Sequence, residues 1–391
     1  MGNRLITCSV VYLCLQLTGT GDAWSQSPQS SPQTPDQAKQ QAQATDDLIE
    51  QLGSERFSER ERATEQLIRL GISAVVQLEL AARSEDREVR QRCQLVLSVV
   101  QELDFARRLK SFEQNVAGDK SYGLPGWKRY RELVGNTPSS RSLFVQMQKA
   151  ERDLLGAESE SARVGAKILE RRCQRLRLSI QIFRTRHELP PIAAALFVAT
   201  KPDVRLDNST NTSLIILCKQ YAFESGMKSN VQRSTLRKLF AAWILKEDAL
   251  PAYELLIMAL QFNIDQSLPR ARVLARGYKK VNEYDLRSAI LCLAKFGGLD
   301  DIAQLKLVME DERVISRYPH NSLTYTVEMR DLVLAALLKL TDREPSTFGY
   351  GRLRFQEPFV FDIRSLGFAR DEDRQVAIAK WQTYQMRQEG G

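Results

Sequence analysis

SERERATEQLIRLGISAVVQLELAARSEDREVRQRCQLVLSVV, residues 58–100, is the stretch of sequence that decides the fold. Its apolar residues recur every three or four positions in three successive runs, at Ala63, Leu67 and Leu70, at Val75, Leu78 and Ala82, and at Val89, Cys93, Val96 and Val100. Ser58 with Glu61 predicts a capping box at the start of the first helix, and Gly71 predicts its end. Because helices of this length are marginal in water, the pattern predicts short two-faced helices that must stack on one another.

The same order of helix, glycine stop, acidic cap and helix returns at residues 284–311, YDLRSAILCLAKFGGLDDIAQLKLVMED. Further amphipathic runs fill the region between, including one long helix predicted over residues 162–186, and a strongly apolar helix is predicted over residues 328–340. Irregular helix pairs in tandem are typical of repeat proteins. The predicted fold class is therefore all-α, an irregular α-solenoid of HEAT-like or armadillo-like helical repeats.

The two ends of the sequence depart from this pattern. Arg4, an apolar run from Leu5 to Leu17 and the small residue Ala23 are typical of a signal peptide cleaved after residue 23, with an uncleaved membrane anchor as the alternative. The Gln-, Ser- and Pro-rich residues that follow predict a disordered linker. The predicted organisation is a signal peptide (1–23), a linker (24–44), a HEAT-like unit (45–104), a connecting helical region (105–156), a helical repeat array (157–340) and a non-periodic C-terminal capping segment (341–391).

A family resemblance supports this interpretation. The motif RERATEQLIRLGISAVVQLELAARSEDREVRQRCQLVL, which begins at Arg60, resembles the HEAT-like helical repeats found in many exported proteins of planctomycete bacteria. The likeness is carried by Arg62, Ala63, Leu67, Leu70, Gly71, Leu78, Ala82, Glu88, Arg90 and Arg92. RDLVLAALLKLTDREPSTFGYGRLRF, from Arg330 onward, with Trp381 further along, is similar to the closing segment of such proteins. The resemblance implies the repeat fold, export and a scaffolding role.

The cysteines favour structural thiols. Beyond the predicted signal peptide the chain has four of them: Cys93, Cys173, Cys218 and Cys292. They show no CxxC spacing, so a zinc site is poorly supported. Each lies in an apolar helical pattern, which favours buried free thiols, although an oxidising compartment would also permit disulfides.

The sequence offers little material for catalysis. The only two histidines, His187 and His320, are predicted at a helix end and in a turn, so a catalytic triad or a histidine metal site is not expected. No GxGxxG or GxxxxGK[ST] motif occurs. Acidic pairs at 46–47, at 300–301 and at 371 with 373 are interpreted as helix caps, an enzyme with a carboxylate site being the alternative. We predict no enzymatic activity, no metal and no cofactor.

Two groups of residues are candidate binding sites. The first is basic and lies in the helix predicted around residues 163–186: Arg171, Arg172, Arg175 and Arg177. It could meet phosphates or an acidic partner, or form a solvated helix face. The second is aromatic and basic: Phe348, Tyr350, Arg352 and Arg354. It could grip a peptide or glycan, or shield the last apolar face of the helical stack.

The net charge of the chain is +8 at pH 7, with acids interleaved among the bases. This pattern is typical of solvated helix faces and argues against a nucleic-acid partner. We predict an exported protein, periplasmic or secreted, that serves as a scaffold or interaction module for a protein partner. The alternative is an envelope polyanion-binding protein that acts through the arginines of residues 163–186. Membrane attachment is expected only if the signal segment stays uncleaved.

Overall fold

The computed structural model describes residues 35–389. This part of the chain is mostly α-helical, which confirms the helical class predicted from the sequence. The described part of the chain divides into two compact units, one that ends at Arg107 and one that begins at Arg108. The predicted signal peptide (1–23) and residues 24–34 of the predicted linker lie outside the described residues.

The elements are, in chain order, α1 (Pro35–Gln51), α2 (Phe57–Leu70), α3 (Val75–Ala81), α4 (Arg87–Gln114), α5 (Trp127–Val134), α6 (Pro138–Gly156), α7 (Ala162–Phe183), α8 (Leu189–Ala199), α9 (Asn208–Cys218), α10 (Tyr221–Lys228), α11 (Arg233–Ile244), α12 (Ala252–Gln261), α13 (Leu268–Arg276), α14 (Glu283–Phe296), α15 (Ile302–Val308), β1 (Val314–His320), β2 (Leu323–Glu328), α16 (Met329–Leu340), β3 (Phe355–Gln356), β4 (Val360–Phe361) and α17 (Asp371–Glu389). β1 pairs with β2, and β3 with β4, both antiparallel.

The first unit has one apolar core that its helices share. α1 packs on α2 and on α3. The buried side chains are those of Leu52, Ala63, Leu67, Ile68, Ala74, Leu78, Cys93, Val96 and Val100. Gly71 ends α2 with a φ of 62°, which favours glycine over any L side chain, so the predicted stop is confirmed.

A turn that recurs after 30 residues, from Arg60 to Arg90, precedes α2 and α4. Nη1 of Arg60 donates to the backbone carbonyls of Ser54 and Glu55, at 2.7 and 2.9 Å. The second copy repeats both bonds: Nη1 of Arg90 donates to the carbonyls of Ser84 and Glu85, at 2.5 and 3.2 Å. In each copy the serine Oγ accepts the backbone N–H two residues later. The first unit therefore contains two copies of one turn.

This turn replaces the predicted capping box. α2 begins at Phe57 with Arg56 at its N-cap and without a side-chain cap. Ser58 therefore lies inside the helix, and its prediction as the N-cap was wrong. The reason is that Ser54 and Arg60 already bind the polar groups of the preceding turn.

α1 also changes a predicted boundary. Residues 35–44 were assigned to the disordered linker, but α1 begins at Pro35. Ala, Gln and Lys are good helix formers, so a composition poor in apolar residues does not prevent a helix. Thr45 and Leu52 are buried and anchor this helix. The acidic residues at 46–47, interpreted as a helix cap, lie inside α1.

In the second unit, several helices pack on their second neighbours along the chain. α6 packs on α8, α7 on α9, α12 on α14, and α14 on α16. Residues 192–199 of α8 and residues 329–338 of α16 are all buried. A helix that is buried on every side belongs to the core, so α8 and α16 are central helices of this unit.

Polar links between residues about thirty positions apart join successive segments of the second unit. The linked pairs are Arg129 with Glu158 and Arg272 with Asp301, both 29 residues apart, and Asp285 with the N–H of Tyr253 and Arg313 with the carbonyl of Val281, both 32 residues apart. The spacing is close to that between the two turns at Arg60 and Arg90 in the first unit.

A β-hairpin interrupts the predicted helical array of residues 157–340. β1 and β2 are joined by Asn321 and Ser322, with φ of 49° and 63°. Positive φ at both central residues is typical of a type I′ turn. Residues 314–328 are rich in β-branched and aromatic residues, which is a strand signal that a search for helical spacing does not detect. The hairpin is a local departure from helix in a chain that is otherwise mostly α-helical.

Buried ion pairs fasten the C-terminal segment to α16. Arg374 of α17 is 3% exposed, and its Nε donates to Oδ1 of Asp331, which is 1% exposed, at 2.8 Å. Nη1 of the same guanidinium donates to Asp371 at 2.6 Å, and Nη2 donates to the carbonyl of Thr326 at 2.9 Å. These bonds join α17, α16 and β2.

Candidate binding surfaces

α7 has its core face and its arginine face on different sides. The buried residues of this helix, Gly165, Leu169, Cys173 and Leu176, recur at helical spacing and pack against α8 and α9. After Leu176 the next buried residue along the chain is Pro190. The last turns of α7 therefore extend past the buried core.

One of the four predicted binding arginines is structural. Arg172 donates through Nε to Oε2 of Glu151 at 2.7 Å and through Nη2 to Oε1. Glu151 is 5% exposed and occupies a non-helical position inside α6, with φ −142°. The bond to Glu151 raises the pKa of Arg172. This pair joins α6 to α7, so Arg172 is not available to a ligand.

Four other cations near the end of α7 face solvent. Arg171 and Arg175 are exposed and lie one turn apart on one face, and their side chains make no hydrogen bond or ion pair within residues 35–389. The side chains of Arg184 and Arg186, just past the helix, are exposed and also lack such a partner in the described part of the chain. Arg177 differs, because it is half-buried and its buried Nε has no hydrogen-bond partner. The structure thus brings Arg171 and Arg175 together and separates Arg172 and Arg177 from them.

Apolar side chains continue this face. Leu178 and Ile182 follow Arg171 at i+7 and i+11, so they lie on the same side of the helix, and they are 38% and 64% exposed. Phe183, at the end of the helix, is 76% exposed. We call this set the α7 surface: Arg171, Arg175, Leu178, Ile182, Phe183, Arg184 and Arg186. An exposed apolar end beside unpaired arginines suits a partner that is both anionic and apolar.

Elsewhere in the second unit, many cations bind backbone carbonyls. Lys201 donates to the carbonyl of Glu160 at 2.9 Å, and Lys238 donates to that of Val134 at 3.0 Å. Further examples are Arg141, Lys246, Lys295 and Arg313. Carbonyls at helix ends carry partial negative charge, so a cation beside them is stabilising. Some of the basic side chains that give the chain its net charge of +8 therefore bind backbone carbonyls within the molecule.

The second predicted cluster does not form one surface. Phe348 is buried against Trp381, with ring centroids 6.3 Å apart. Tyr350 is also buried, and its hydroxyl donates to the backbone carbonyl of Asp331 at 2.6 Å. Burial raises the pKa of Tyr350 well above its ordinary value. These two aromatic residues are part of the core and are not available to a ligand.

The two arginines of that cluster lie apart from the buried aromatics. Arg354 is exposed and pairs with Asp362 at 2.7 Å. Arg352 lies over the rings of two hairpin tyrosines, 4.1 Å from the centroid of Tyr325 and 5.5 Å from that of Tyr318. The two tyrosine rings stack on each other at an interplanar angle of 11°. Helical spacing in the sequence does not predict this arrangement, because the two tyrosines lie on strands.

α3 exposes a second apolar stripe that the sequence analysis also missed. Ile72, just before this helix, Val76 and Leu80 follow one another at i, i+4 and i+8 and are 49%, 66% and 69% exposed. Leu78 and Ala74 lie in the core instead. We call Ile72, Val76 and Leu80 the α3 face. The signal in the sequence was that GISAVVQLELA is apolar on more than one side.

The two histidines lie in different settings, one beside the end of α7 and one in the hairpin. Nε2 of His187 lies 2.7 Å from Oγ of Ser179 and 3.0 Å from the carbonyl of Leu176. His320 is exposed at the end of β1, beside the hairpin turn. Between residues 35 and 389, no three His, Cys, Asp or Glu side chains are placed to hold a metal ion.

The four cysteines of the described chain are free and buried. This outcome agrees with the predicted buried thiols. Burial raises the pKa of Cys93 to about 11 and those of Cys173 and Cys292 to about 12. It raises the pKa of Cys218 well above its ordinary value. Because the thiolate is the reactive form, these side chains are structural rather than nucleophilic.

We therefore expect all four thiols to resist alkylation in the folded protein at pH 8, and to react once urea unfolds the chain. The measurement is peptide mass spectrometry after iodoacetamide treatment with and without urea. Labelling of Cys173 in the native protein at the rate of a free thiol would contradict the burial described here, and a mass 2 Da below that of the reduced chain would indicate a disulfide.

Comparison of the chain with protein-family models, with curated proteins and with solved structures gives no match. Among the helices described, none combines the length and apolar character needed to cross a bilayer. The surfaces are therefore interpreted from their own residues.

Proposed function

We propose that this chain is an exported helical-repeat scaffold, without enzymatic activity, that binds a protein partner through the α3 face. The observation that carries the proposal is the exposure of Ile72, Val76 and Leu80 on one side of a short helix whose other side is buried. A continuous exposed apolar stripe on a helix is typical of a protein-interaction site.

Two further features support the repeat architecture in this proposal. The turn at Arg60 recurs at Arg90 with the same carbonyl acceptors, and helices of the second unit pack on second neighbours. Both are expected of an irregular α-solenoid, in which each repeat contacts only the next. Export is supported by the apolar N-terminal segment of the sequence.

The test is site-specific photocrosslinking. p-Benzoyl-L-phenylalanine is placed at Val76, and in a matched control at Gln94, which is exposed in the same unit. We expect an adduct with one protein of defined mass from position 76 only, and its loss after Leu80→Glu. Equal adducts from both positions, or an adduct whose mass is twice that of this chain, would contradict a dedicated partner site.

A second candidate function is supported by a different observation. Arg171, Arg175, Arg184 and Arg186 are exposed without an acidic partner in the described chain, and clustered unpaired arginines favour anionic ligands. We infer that the α7 surface binds an anionic component of the cell envelope. Retention on a sulfated polymer should fall steeply with salt.

If the α7 surface binds anions, removal of its arginines should weaken retention on the sulfated polymer. The double variant Arg171→Gln/Arg175→Gln should elute at lower salt than Arg276→Gln/Lys280→Gln, which removes two exposed cations at the end of α13 and in the turn after it. The measurement is the salt concentration at elution. Equal shifts for the two variants would mean that retention follows net charge and not the α7 surface.

A further inference from the structure

The end of α7 exposes apolar side chains that are not part of the buried core. Residues 181–186 are all exposed, and Ile182 and Phe183 are 64% and 76% exposed. Single exposed apolar residues are common on protein surfaces. Here two adjacent ones follow Leu178, which is 38% exposed, at the end of a helix that extends past its core. The feature is therefore an apolar projection.

Between the exposed acidic residues Glu170 and Glu188, the segment that carries this projection has charge of one sign. No acidic residue occurs between Arg171 and His187, while the segment contains Arg171, Arg172, Arg175, Arg177, Arg184 and Arg186. The carboxylate of Glu151 is bound to Arg172, on the core side of the helix. Exposed arginines precede the apolar residues on the helix and follow them in the next segment. A ligand of this site therefore has to combine an apolar part with anionic groups that surround it.

The shape decides between two kinds of occupant. A peptide helix or strand binds in a groove whose walls contact it on several sides. The end of α7 is the opposite, because Ile182 and Phe183 stand out from a run of exposed residues. Apolar side chains that project in this way can be covered by a fluid lipid layer, which surrounds them without a preformed groove. The interface of an anionic bilayer combines such a phase with phosphate groups that arginine binds.

We propose that the α7 surface is a membrane-docking element for anionic phospholipid bilayers. Ile182 and Phe183 enter the boundary between headgroups and acyl chains, while Arg171, Arg175 and Arg184 bind headgroup phosphates. The inference rests on the anion-binding function proposed above and names its partner. It differs from binding of a soluble polymer because it requires the apolar residues as well as the arginines.

The test uses the full chain with vesicles of phosphatidylcholine alone or with phosphatidylglycerol at about one third of the lipid, and measures co-sedimentation. We expect binding only to the anionic vesicles. Arg171→Gln/Arg175→Gln should weaken partitioning about 25-fold, at about fivefold for each arginine. Ile182→Ser/Phe183→Ser should weaken it at least about tenfold. The control Leu299→Ser/Leu307→Ser removes side chains that are 68% and 61% exposed elsewhere and should leave partitioning unchanged.

A second readout locates the contact. In Phe183→Trp, lipids brominated on their acyl chains should quench the new fluorescence on anionic vesicles. Circular dichroism melts establish that each variant is folded. Three results overturn the inference. If Ile182→Ser/Phe183→Ser binds vesicles like the wild type, the site recognises charge alone, and the anion-binding function survives. Equal binding to uncharged vesicles would contradict the role given to the arginines in recognising anionic headgroups. Absence of binding to both vesicles and sulfated polymer would remove both proposals.

Discussion

Replacement of Arg374 by methionine is expected to lower the free energy of unfolding by about 3–5 kcal/mol, because removal of one partner of a buried ion pair leaves the other charge uncompensated. Asp331, 1% exposed, would lose its bond to Nε of Arg374 at 2.8 Å. The carbonyl of Thr326 and the carboxylate of Asp371 would lose a donor as well. The measurement is a urea titration followed by circular dichroism.

The decrease in the free energy of unfolding caused by Arg374→Met should also depend on pH. Burial raises the pKa of Asp331 to about 6, although Arg374 and the N–H of Glu328 oppose this shift, so loss of the arginine raises the pKa further. A carboxyl with a folded pKa above its unfolded value of about 3.9 binds more protons in the folded state. The stability that such a carboxyl contributes to the folded state is present below the unfolded pKa and is lost as pH rises through the folded pKa. We therefore expect Arg374→Met to be less stable at pH 8 than at pH 5, relative to wild type.

A control for this prediction lies on the same segment. Arg370 pairs with Asp373, but these side chains are 72% and 47% exposed, so Arg370→Ala should change stability far less than Arg374→Met. The double variant Arg374→Met/Asp331→Leu removes both buried charges and should recover part of the loss. Equal losses in Arg374→Met and Arg370→Ala, or a loss that is the same at both pH values, would contradict the buried pair described here.

The second large effect is expected at Arg129. Its guanidinium donates to both carboxylate oxygens of Glu158, at 2.7 and 2.8 Å, to the hydroxyl of Thr200 at 2.9 Å and to the carbonyl of Phe197 at 2.6 Å. It also lies 3.9 Å from the ring centroid of Phe197. The side chain of Glu158 is 5% exposed. Arg129→Leu should therefore lower the free energy of unfolding by about 3–5 kcal/mol.

Two further substitutions at this site separate charge from geometry. Arg129→Lys keeps the cation but loses the planar fork that binds both oxygens, so an intermediate loss is expected. Lys128→Leu changes an exposed neighbour and should alter stability by no more than about 0.5 kcal/mol. If Arg129→Lys behaves like wild type in thermal melts, the bidentate contact with Glu158 does not stabilise the fold.

The helices were largely predictable because their periodicity and their ends are local. The helix predicted over residues 162–186 is α7, Ala162–Phe183, and that predicted over 328–340 is α16, Met329–Leu340. The hairpin was missed since its turn has no glycine, and Asn321 and Ser322 supply the positive φ instead. α1 was missed because low hydrophobicity was interpreted as disorder, although a few buried contacts suffice to hold a helix rich in Ala and Gln.

The candidate site was only partly predictable, and Arg171 and Arg172 show the reason. They are adjacent in the sequence but point in directions about 100° apart on the helix. Arg172 meets Glu151, which lies 21 residues away along the chain. Only the tertiary structure reveals such an acidic partner, so composition alone gave both arginines the same expected role. The same limit applies to Tyr350, whose burial depends on α16.

The duplicated turn at Arg60 and Arg90 bears on how such a chain can change in length. Each copy carries its own arginine and its own two carbonyl acceptors. Insertion or deletion of one whole 30-residue segment leaves every turn with its own arginine, whereas a shift of a few residues separates the donor from its acceptors. Gene duplication in steps of one segment is thus compatible with folding in this unit, and small frame-preserving insertions are best tolerated away from these turns.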